Sequence, residues 1–167
     1  VLGLEGCGSS KRASTDDGAP EPFIVGGQLD RGHKSVGTLR SGRTCCTATL
    51  VGKKTVLTAA HCIAKGSAGS TLFTLGYRSY RARSLHVHPN FERARGFDIA
   101  VVMLTEAVDG VAPSYIYTNS PKQGQEVILV GFGKTSESWW SQAGTKRAGK
   151  NTISSVTKTT FRMMGRS

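Results

Sequence analysis

No apolar stretch of 18 residues occurs in this 167-residue chain, so it holds no candidate membrane-spanning helix. Acidic residues are scarce. Eleven Asp and Glu stand against 22 Lys and Arg, a formal charge of +11, and such a balance suits anionic partners. Yet no run of five basic residues is present, and no aromatic-interleaved RNA-binding signature, so no specific nucleic-acid partner is expected. CxxC and HExxH spacings are absent, and the pair His86 and His88 has no further ligands beside it, so neither a metal site nor a cofactor is implied. Gly131-Phe132-Gly133 lacks the third glycine and the following helix of a dinucleotide-binding loop. No internal repeat is visible. The first residue is not Met, from which we expect an upstream segment that was removed or not included.

What is present points to an all-β protein of secreted type. Twenty-one glycines, abundant Thr, Ser and Val, and short apolar runs between turn signals favour strands over helices. Residues 1–23, rich in Gly, Ser, Asp and Pro, read as a flexible leader or propeptide. Leu4-Glu5-Gly6-Cys7 is similar to the end of a bacterial lipoprotein signal, which would make Cys7 a lipid anchor to an envelope. Glu5 and the short apolar stretch before it favour the plain leader. Strands are expected at Ser35–Leu39, Cys46–Val51, Thr55–Thr58, Thr71–Leu75, Arg81–His88 and Ile99–Leu104, with further strands at Gln125–Phe132 and Thr152–Thr160. Gly52-Lys53-Lys54 makes a hairpin-length break.

Two residues stand out chemically. The β-branched run Thr55-Val56-Leu57-Thr58 leads through two alanines to His61 and Cys62. A strand that delivers one imidazole to a fixed place is what a general base requires; a surface or satisfied core histidine is the plainer reading. Asp98 heads the apolar run Ile99-Ala100-Val101-Val102-Met103-Leu104, where a carboxylate is costly without a partner. It either caps a turn before that strand or pairs with His61.

In order, Ile24-Val25-Gly26-Gly27, Thr58-Ala59-Ala60-His61-Cys62, His88-Pro89-Asn90-Phe91, Phe97-Asp98-Ile99-Ala100 and Gly131-Phe132-Gly133 resemble the chymotrypsin/trypsin family of serine endopeptidases, from Ile24 to about Ile153. The resemblance implies a double Greek-key β-barrel, with a complete first barrel at residues 24–112 and a truncated second barrel at 113–167. It also implies that His61 is general base and Asp98 its orienting carboxylate, that Ile24 is the activation N-terminus freed from a zymogen, and that substrates are proteins or peptides. Cys46 and Cys62, sixteen residues apart, match the disulfide that the family closes behind its catalytic histidine. Cys45 would face the other way, to pair with Cys7 or stay unpaired.

Two departures from the pattern are plain. Phe23 precedes Ile24, where trypsin-like zymogens carry Arg or Lys, which leaves the activating protease open. No Gly-Asp-Ser-Gly-Gly follows, and none of Ser154, Ser155 and Ser167 lies in a glycine-rich turn. The expected protein is therefore a secreted serine endopeptidase whose nucleophile is missing from this chain, a fragment inactive alone. The alternative is an inactive protease homologue that serves as a binding or regulatory module.

Overall fold

The computed structural model describes residues 27–92, 96–133 and 144–163. The expectations for the leader, Cys7, Ile24 and Ser167 lie outside these residues. Six antiparallel strands close into a barrel: β2 (Val36–Ser41), β3 (Thr44–Gly52), β4 (Thr55–Thr58), β5 (Thr71–Leu75), β6 (Arg78–Val87) and β7 (Ala100–Leu104), in the order β2-β3-β4-β7-β6-β5. Alternation drives the closure. In β5 and β7 every second residue is buried, and Leu39, Leu50, Val56, Phe73, Val102 and Leu104 fill the interior almost without exposure. Joining β2 to β5 leaves the sheet without a free edge.

Small residues permit the tight places. Gly42, with φ of 58°, turns β2 into β3 in a two-residue hairpin. At Gly37 a Cβ would collide with the carbonyl of Thr74 and the ring of Phe73, so only glycine lets β2 and β5 lie this close. Two buried hydroxyls, Ser41 and Thr71, satisfy each other at 2.8 Å across the same strand pair.

Beyond the barrel lies a four-stranded antiparallel sheet of β1 (Gln28–Leu29), β8 (Glu126–Gly131), β9 (Arg147–Val156) and β10 (Phe161–Met163), with β9 pairing all three others. The backbone N–H of Phe132, just after β8, donates to Thr47 Oγ1 of β3 at 3.1 Å and ties this sheet to the barrel. No helix among the described residues is long and apolar enough to cross a membrane.

Most expected strands fall within about two residues of their place, β1 and β10 were not expected, and two strands need correction. β6 starts at Arg78 rather than Arg81, because the Leu75-Gly76-Tyr77-Arg78 turn closes directly into paired strands. β9 runs over Arg147–Val156 rather than Thr152–Thr160. Its polar first half has no alternation to read, and pairing with β8 holds it in the sheet. A turn closed by Thr157 and Thr160 then separates it from β10.

Candidate active site

The chain leaves β4 at Thr58 and makes one turn of 3-10 helix over Ala60–Cys62, so His61 sits in a short turn just beyond the strand. Ala59 and Ala60 are wholly buried, and larger side chains there would have to displace the core. Cys62 is bonded to Cys46 of β3, with the two Cα atoms 6.2 Å apart. The turn carrying His61 is thus anchored on both sides, by strand and by disulfide.

Asp98 comes from the other end of a neighbouring strand. β4 and β7 pair directly, Thr58 opposite Ala100, so the residues just beyond these two positions meet. One oxygen of Asp98 accepts from His61 Nδ1 at 2.6 Å, and the other accepts from the His61 backbone N–H at 2.9 Å. This double grip fixes both the ring and the peptide that bears it. A carboxylate at Nδ1 holds the proton on that nitrogen and leaves the lone pair on Nε2. The neighbour of Nε2 is Cys62 Sγ at 3.5 Å. A disulfide sulfur has no proton to give, so the lone pair stays available for a base's work.

Asp98 differs from its expected setting. Its side chain is 41% exposed and that of His61 22%, so the carboxylate stands beside the barrel mouth rather than inside it. The cause is local. Phe97 adopts a left-handed φ of 54°, and the Ile99 N–H closes back onto the Phe97 carbonyl at 2.7 Å, lifting residues 97–99 away from the core before β7 begins. The Phe97 ring stacks on His88, centroids 4.7 Å apart and nearly parallel, which holds the turn. The role of Phe97 was not legible in the sequence; the adjoining Gly96, also at positive φ, was the available sign.

The other singled-out residues do not join this pair. His86 bonds to the hydroxyl of Ser84 at 2.8 Å, while His88 lies past the end of β6 against Phe97. The ligand atoms of Cys46, His61 and Cys62 lie within 4.8 Å of one another, but the two sulfurs are spent in their mutual bond and offer no thiolate.

A second polar cluster, unanticipated from the sequence, ties β1 to β9. Asp30 accepts from His33 Nδ1 at 2.8 Å and from the backbone N–H groups of Gly32 and His33, and pairs with Lys146 at 3.3 Å. Burial by itself would raise its carboxyl pKa. The bonds from His33, from the two backbone groups and from Lys146 outweigh that and hold it at about 2. Lys146 and Arg147 also donate to the carbonyls of His33 and Gly27, fastening the segment that follows Ile24.

A protein-family model described as Trypsin matches residues 24–165. The chain belongs to the trypsin family. Among solved structures it is similar to neuropsin, described as a serine protease expressed in the limbic system of mouse brain. That likeness has a TM-score of 0.68 at 24% identity and covers 79% of this chain but 66% of neuropsin. No curated protein sequence matches. The fold is therefore all-β and chymotrypsin-like, the family is that of trypsin-like serine proteases, and the disulfide expected behind the histidine is formed.

Proposed function

We propose that this trypsin-family chain carries the acid–base half of a Ser-His-Asp endopeptidase. His61 takes the nucleophile's proton at Nε2 and returns it to the leaving amine. Asp98 holds the ring in the tautomer that this requires and stabilises the imidazolium that forms. The observation that carries the reading is the double grip of Asp98 on His61, ring and backbone together. Substrates are proteins or peptides, and no cofactor is needed.

In this reading the first barrel spans 24–112 and 113–167 belongs to the second. Residues 1–23 form the leader of a secreted zymogen, and Ile24 is the N-terminus freed on activation. The nucleophile is a serine outside residues 1–167. In support, no serine among the described residues bonds to His61, and Ser154 and Ser155 lie in paired strand β9 rather than in a turn. Acyl transfer also needs donors aimed at the developing oxyanion, each worth roughly 3–4 kcal/mol of barrier.

The test is to treat purified 1–167 with a serine-directed phosphonate and with mixed peptide substrates, alone and joined to the segment encoded after Ser167. Labelling and turnover should appear only in the joined form and vanish with His61→Ala. Turnover by 1–167 itself that is abolished by His61→Ala would overturn the assignment of the nucleophile. Activity in the joined form that survives His61→Ala would overturn the role of His61.

A further inference from the structure

The positive charge of this chain is not spread evenly. Between Arg31 and Phe91 there are ten Lys and Arg and no Asp or Glu. The remainder has 12 basic against 11 acidic residues and is nearly neutral. That acid-free span builds β2 to β6, five of the six barrel strands.

The strand ladder concentrates part of this charge. Arg40 of β2 stands opposite Leu72 of β5, and Leu72 stands opposite Arg81 of β6. Residues in direct register point to the same face, so Arg40 and Arg81 flank Leu72 on the outside of the barrel, two strand spacings or roughly 10 Å apart. Both are exposed, their strand neighbours Leu39, Ser41, Tyr80 and Ala82 being buried. Arg83, also exposed, follows two residues later on β6, at a register shift that interrupts the pairing with β7. Arg43 is exposed in the hairpin turn at the end of β2. Alternation along strands explains why no basic run shows in the sequence: every second residue turns inward.

None of these four arginines forms an ion pair among the described residues, whose salt bridges lie elsewhere. Lys53 and Lys54, at the β3–β4 turn, differ in that the backbone packed against them leads into Glu106 and Asp109. The uncompensated charge is thus on the β2–β5–β6 face.

We propose that this face, centred on Arg40, Arg81 and Arg83, binds a sulfated linear polysaccharide. Guanidinium groups donate to sulfate oxygens in a bidentate fork and are less hydrated than ammonium groups, so an arginine face suits such a polymer. The surface between the arginines offers Leu72, Thr38, Thr74 and Ser79 rather than aromatic rings. Tyr77, exposed in the β5–β6 turn, is a single ring beside this face and not the succession of rings on which the bases of a single-stranded nucleic acid stack. A disulfide-bonded chain also belongs to an oxidising compartment, where anionic polysaccharide is met more readily than nucleic acid.

The experiment measures binding of the full 167-residue chain to heparin, and to duplex and single-stranded DNA of matched charge, between 50 and 300 mM salt, conditions chosen at roughly the range where counterion release is resolved. The chain should bind heparin more tightly than either DNA. The variant Arg40→Gln/Arg81→Gln/Arg83→Gln should lose about tenfold or more in heparin affinity at 150 mM salt and lower the salt slope by roughly 2–3. The control Lys122→Gln/Lys158→Gln, on exposed residues outside the barrel, should leave affinity within about twofold on the same grounds. Each variant is melted alongside the parent; the single Arg81→Gln, if the triple variant unfolds, should show a loss of a few fold. Equal losses in the two multiple variants overturn the localisation. DNA binding as tight as heparin overturns the ligand class, and absence of heparin binding at 50 mM salt overturns the proposal outright.

Discussion

His61 and Asp98 each owe their place to a residue type that could be read in advance: two small alanines before the ring, and a carboxylate ahead of an apolar strand. Their partnership follows from two strand ends lying side by side, and in the proposed endopeptidase Asp98→Asn should lower kcat by roughly 10⁴ while leaving KM within a few fold. Steady-state kinetics on a peptide substrate check this; a change confined to KM would show that Asp98 holds substrate rather than His61. Asp30 was not legible, because Lys146 reaches it from the position just before β9, far along the chain. Its carboxyl titrates near 2, below the ordinary value of 3.8. A folded-state pKa below the unfolded one adds stability that is present above about pH 4 and is lost as pH falls toward 2. Urea melts at pH 7, 4 and 2.5 should therefore show Asp30→Asn less stable than the parent at pH 7, with the gap closing as acid is added.

At the level of strands, periodicity carried most of the information. Thr55–Thr58 and Thr71–Leu75 have the expected limits because buried and exposed positions alternate cleanly there. β9 was misread because Arg147, Gly149 and Lys150 show no such alternation; ladder bonds to β8 hold them instead. The left-handed Phe97 escaped for a similar reason, since a bulky residue at positive φ is forced by its stacking on His88 rather than announced by its type. Two substitutions test the strand-level account. Gly37→Ala drives a methyl into the Thr74 carbonyl and the Phe73 ring, and should cost about 1–3 kcal/mol in a denaturant melt. Replacing Cys46 and Cys62 together by Ala opens the loop between β3 and the histidine turn, and should cost about 3 kcal/mol, measured the same way.

Taken whole, the molecule shows apolar side chains to solvent on the segment after the barrel and on the second sheet: Tyr115, Ile116 and Tyr117, then Ile128, Val156 and Phe161. Purified 1–167 should accordingly self-associate as its concentration rises, read as a growing weight-average mass in sedimentation, and Ile128→Lys should reduce it. On the barrel the exposed apolar residues Tyr77, Val87, Phe97 and Ile99 stand at a turn and at strand ends, and the barrel ladder contains both strands that present His61 and Asp98. Their meeting depends on the register of Thr58 with Ala100 and on nothing from the second sheet. During synthesis, at roughly 5–20 residues per second, the ribosome has delivered every residue of that ladder once Leu104 is clear of the exit tunnel. The acid–base pair should thus be assembled on the nascent chain while the second sheet is still being translated. On the proposed function, the half that moves the proton would then be made first and wait, harmless, for the half that attacks.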